Sequence, residues 1–76
     1  MERNAKSVLF ELLDNMDGGV TFTGSSLQYH VQSITGDYHY PSTMLRYMRE
    51  WRSVNRKIVC LEKRKSLYEM IEYKRR

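Results

Sequence analysis

The chain has one cysteine, Cys60, in 76 residues. No internal disulfide can form, and the thiolate clusters that hold structural zinc need several cysteines at short spacing. A chain this short buries only roughly 60% of the surface it exposes when unfolded. Its fold must come from efficient placement of apolar side chains or from the support of a partner, with no covalent staple to help. Residues that are 41% hydrophobic and 29% charged fit a globular chain rather than a disordered one. His30 and His39 are nine apart, which matches no metal-ligand spacing. They read as polar aromatics near turns, and Cys60 as a small buried thiol. Neither a metal nor another cofactor is expected.

Hydrophobic periodicity divides the chain into short elements of one domain spanning residues 1–76, with a core at about 5–72 and a basic tail at 73–76. Ala5, Val8, Leu9, Leu12, Leu13 and Met16 recur at i, i+3, i+4 spacing, the stripe of an amphipathic helix. Asp17-Gly18-Gly19 ends it. Val20-Thr21-Phe22 is a short β-prone step, after which Thr23 or Ser25 can cap a second helix. That helix is expected at about residues 24–34, with Leu27, Val31 and Ile34 as its apolar stripe. Thr35-Gly36-Asp37 is a turn. Pro41 suits the first position of a third helix, over residues 41–52. On it Met44, Met48 and Trp51 share the inward face, flanked by Leu45 and Tyr47. Ser42, Arg46 and Arg49 fall on the opposite side, with Thr43 and Glu50 near its edge. Lys57-Ile58-Val59-Cys60-Leu61 is rich in β-formers, Glu62-Lys63-Arg64-Lys65 is a basic turn, and Ser66 to Met70 can return as a strand. The hairpin is the preferred reading. Its rival is a C-terminal helix, because Leu67, Met70 and Ile71 also fit helical spacing.

Charge is distributed unevenly. Two cations against five carboxylates leave residues 1–45 at −3, while eleven Lys/Arg against four Glu put residues 46–76 at +7. Such asymmetry points to a polyanionic partner. For the tail, Tyr73-Lys74-Arg75-Arg76, a solubilising role is the better reading. No apolar run has the length of a membrane span, and Met1-Glu2-Arg3-Asn4 lacks the apolar core of a signal peptide. The expectation is a cytoplasmic protein, nucleoid-associated if it binds DNA.

The order helix, short strand, helix, turn, helix, hairpin resembles the winged helix-turn-helix family over about residues 5–72. Ser42-Thr43-Met44-Leu45-Arg46-Tyr47-Met48-Arg49-Glu50-Trp51 looks like that family's recognition helix, and Thr23-Gly24-Ser25-Ser26-Leu27 like the start of its supporting helix. Two departures are visible: a longer, more aromatic link at residues 35–40, and Met and Trp where aliphatic core residues are commoner. The resemblance implies an α+β fold of three helices with a short strand after the first and a C-terminal hairpin wing. It implies a small DNA-binding regulator whose third helix enters the major groove of double-stranded DNA. Ser42, Thr43, Arg46 and Arg49 would face the bases and nearest phosphates. Lys63, Arg64 and Lys65 would lie on the backbone from the wing, with Arg52, Arg56 and Lys57 extending the surface. Pairing into a homodimer is compatible with this and is not implied by any segment.

Of the six tyrosines, most are expected to complete a thin core, with Tyr38 and Tyr40 the exceptions that could stack on bases. The rival function is a protein–protein adaptor using the first helix or the tyrosine-rich loop. A third is an RNA or replication accessory role. Catalysis is not expected: no nucleophile has a spaced base, Gly18-Gly19 is an isolated turn, and Asp14 and Asp17 read as a solvated helix end.

Overall fold

The computed structural model describes residues 4–55 and 57–71. The fold is α+β: three helices and a three-stranded antiparallel sheet. Helix α1 spans Ala5–Asp14 and starts where the Asn4 side chain accepts the Ser7 N–H at 2.8 Å. Strand β1 (Thr21–Thr23) leads directly into α2 (Gly24–Thr35). Thr23 is the cap, and the bonding is reciprocal. Ser26 N–H donates to Thr23 Oγ1 and Thr23 N–H to Ser26 Oγ, which satisfies two orphan donors at once. Gly36 ends α2 in the left-handed conformation at φ 82°, which suits a residue without Cβ.

Helix α3 spans Pro41–Asn55, three residues longer than its sequence pattern suggests. Its last turn is held by side chains. Ser53 Oγ donates to the Glu50 carbonyl, and Asn55 Nδ2 to that of Trp51. At the other end the Tyr40 carbonyl accepts from Thr43 and Met44 N–H, so Tyr40 is the capping residue. Serine, threonine, aspartate and asparagine are the residues that cap well, by about 1 kcal/mol over residues without a short acceptor. Tyrosine supplies none.

Strands β2 (Ile58–Glu62) and β3 (Leu67–Met70) form the hairpin, and β3 also pairs with β1, giving the order β1-β3-β2. The rival helical reading of this segment fails because β3 is bonded on both sides. Thr21 faces Glu69 and Phe22 faces Tyr68 on one flank, and Ile58 faces Met70 on the other. Tyr68 and Met70 therefore point inward with Phe22 and Ile58. The Phe22 and Tyr68 rings stack at 6.0 Å.

The core joins Ala5, Val8, Leu9 and Leu13 of α1 to Leu27 and Val31 of α2. Met44, Leu45, Met48 and Trp51 of α3 complete it against the inward residues of the sheet. Trp51 is 4% exposed, and its indole N–H donates to Asp14 Oδ1 at 2.9 Å. Asp14 thus ties α1 to α3 and is more than a solvated helix end.

Three expectations are corrected. Ile34 is 49% exposed: the last turn of α2 leaves it at the rim of an open groove, and the apolar stripe of α2 is buried only at Leu27 and Val31. Cys60 is exposed: of β2 only Ile58, at its start, is buried, and Val59 to Glu62 are open to solvent. Tyrosines contribute less to the core than expected. Only Tyr68 is buried and Tyr47 half-buried, while Tyr29, Tyr38 and Tyr40 are exposed; Tyr73 lies outside the described residues.

Gly24 sets the spacing of α2 against α3. A Cβ there would lie 3.0 Å from Leu45 Cγ and 3.2 Å from the Pro41 carbonyl oxygen. Leu45 is buried and Pro41 begins a helix, so neither yields easily. Gly24→Ala is expected to destabilise the fold by about 1–3 kcal/mol, as overpacking does. A urea midpoint equal to that of the parent would show that the two helices separate freely.

Candidate nucleic-acid interface

Because α3 turns its methionines and Trp51 inward, helical geometry turns Ser42, Arg46 and Arg49 outward, and all three are exposed. Arg46 and Arg49 are three apart, on adjacent turns of the same face. Thr43 is half-buried at the edge of that face. Its N–H donates to the Tyr40 carbonyl, which leaves its hydroxyl as the group to meet a phosphate. Ser53, which the shorter expected helix excluded, is exposed and continues the row from Ser42, Arg46 and Arg49 at helical spacing.

The electrostatics of the face depend on Glu50. Four residues after Arg46, it stands where it could pair with that arginine. Instead its carboxylate takes a 2.7 Å bond from Lys6 Nζ on α1. Lys6 also sits 5.7 Å from the Phe10 ring centroid and 6.0 Å from that of Tyr47, so two aromatic rings help hold the ammonium in place. The Arg46 guanidinium lies 5.9 Å from the Tyr47 centroid. Among the described residues, neither Arg46 nor Arg49 has a carboxylate partner. The pair Lys6–Glu50 was not visible in the sequence, since its members are 44 residues apart.

Arg52 is half-buried. At 3.6 residues per turn it lies about 60° round from Arg49, toward the core side of α3. It belongs at the margin of the face rather than in it. Lys57 is exposed just before β2, and Arg56 lies outside the described residues.

The hairpin tip at residues 63–66 is a tight turn. Ser66 N–H bonds the Lys63 carbonyl, Ser66 takes a left-handed φ of 50°, and the register shifts between Cys60 and Glu62. A left-handed residue followed by irregular pairing is a usual way to close a hairpin loop of this length. The turn presents Lys63, Arg64 and Lys65 to solvent. Lys65 Nζ is 4.0 Å from Glu62, a long and exposed pair that holds it weakly.

Against known protein families, curated proteins and solved structures, the chain has no match. Among the described residues, no group of three or more His, Cys, Asp or Glu could hold a metal ion. No helix among them is long and apolar enough to cross a membrane.

Proposed function

We propose that the chain is a winged helix-turn-helix module that binds double-stranded DNA, with α3 in the major groove and the hairpin as a wing on the phosphate backbone. The single observation that carries this reading is the outward face of α3. It offers two arginines and two serines, and the acid that could quench Arg46 is held by Lys6. An arginine donates two hydrogen bonds to guanine O6 and N7, a contact open only in the major groove. The layout of three helices with sheet order β1-β3-β2 supports the same reading, as does the +7 charge of residues 46–76. A small regulator of transcription is the role this would serve.

The test is binding to duplex DNA as salt is raised. Each phosphate contact releases counterions, so log affinity should fall linearly with log salt. Replacing Lys63, Arg64 and Lys65 together by alanine should flatten the slope and leave base preference unchanged. An unchanged slope would remove the wing from the interface, and no binding at low salt would remove the function.

One observation favours a second reading, a protein–protein adaptor. Val8, Glu11, Leu12, Asn15, His30 and Ile34 line an open groove between α1 and α2, with Ile34 half exposed at its rim. An adaptor would use this groove, and would not show a salt-dependent affinity for DNA.

A further inference from the structure

Tyr38 and Tyr40 are large aromatic residues left 59% and 69% exposed in the link between α2 and α3. Their rings pack edge to face, with centroids 5.6 Å apart and planes at 88°. The backbone that carries them is tied down along its length. Gly36 N–H bonds the Gln32 carbonyl, Asp37 N–H bonds Thr35 Oγ1, and His39 N–H reaches the buried Gln28 side chain. The Tyr40 carbonyl then caps α3. The rings are thus displayed from a fixed segment. They add little to the core, and tyrosine is a poor choice of cap. Tyr40 is also two residues from Ser42, the first residue of the outward row on α3.

We propose that Tyr38 and Tyr40 form a stacking station for an unpaired nucleobase, so that the preferred ligand is a DNA duplex with a single-stranded extension rather than a blunt duplex. This rests on the reading of α3 as the duplex-binding face, with which the pair is continuous in the chain. Every base has a π-face, so stacking on tyrosine tolerates sequence. Asp37, next to Tyr38, repels phosphate, and the contact therefore falls to the ring faces and not to the backbone of the strand.

The experiment is fluorescence anisotropy with the full chain and three labelled probes. These are a short blunt duplex, the same duplex carrying a single-stranded extension, and that strand alone. The parent should bind the extended duplex roughly tenfold more tightly than the blunt one, the scale of one stacked base. The double variant Tyr38→Ser with Tyr40→Ser should lose that preference and keep its affinity for the blunt duplex. Tyr38→Phe with Tyr40→Phe should retain the preference, since the ring and not the hydroxyl does the stacking. Equal affinity for both duplexes, or a preference that survives in the serine variant, would overturn the stacking station and leave duplex binding standing. Failure to bind any probe at low salt would overturn both.

Discussion

Trp51→Ala is expected to cost about 3–5 kcal/mol of folding free energy, the range for emptying an aromatic site in a packed core. Trp51 joins the α3 face of the core to Asp14 at the end of α1, so its loss both opens a cavity and releases a link between helices. A domain of this length has about 4–11 kcal/mol of stability in all, and the variant should be partly or wholly unfolded near room temperature. Urea denaturation followed by circular dichroism measures it. Asp14→Asn separates the two contributions, because it leaves the ring in place and offers its amide oxygen to the indole N–H. It should cost far less than the cavity. A Trp51→Ala loss within about 0.5 kcal/mol, the range of an ordinary surface change, would mean that α3 is rotated and that its arginines do not face outward.

The second large effect falls on binding. Arg46→Ala and Arg49→Ala should each weaken binding to a preferred duplex roughly tenfold to a hundredfold, corresponding to about 1–3 kcal/mol per bidentate guanine contact. Thermal stability should be unchanged, because both side chains are exposed and neither carries an ion pair among the described residues. The combined result distinguishes binding from folding. Variants that bind normally would mean that α3 does not face DNA, and variants that unfold would mean that the arginines are structural. Glu50→Gln provides a further control: it frees Lys6 without touching the arginines, and should leave affinity equal or slightly raised.

The periodic segments were legible in the sequence for a simple reason. Where apolar residues recur at helical spacing beside a residue that starts a helix, as with the cap Thr23 or the first-turn Pro41, local preference and burial agree, and the helix begins where the pattern places it. The inward trio Met44, Met48 and Trp51 was legible for the same reason, and it fixed the outward side of α3. The end of α3 was not, because Ser53 and Asn55 hold the final turn through bonds to backbone carbonyls, and this leaves no hydrophobic trace. Ile34 and Cys60 were misplaced because periodicity says which side of an element is apolar, and says nothing of how far the neighbouring layer extends to cover it. The candidate site was read at the level of residue type. Its electrostatics were not, since the capture of Glu50 by Lys6 depends on how α1 lies against α3.

The most direct test of the account is an amide chemical-shift titration of the full chain with a short DNA duplex at two salt concentrations. Shifts are expected to concentrate along residues 42–53 and 62–66 and to shrink together as salt rises. Shifts confined to the groove between α1 and α2, or none at the lower salt, would contradict it.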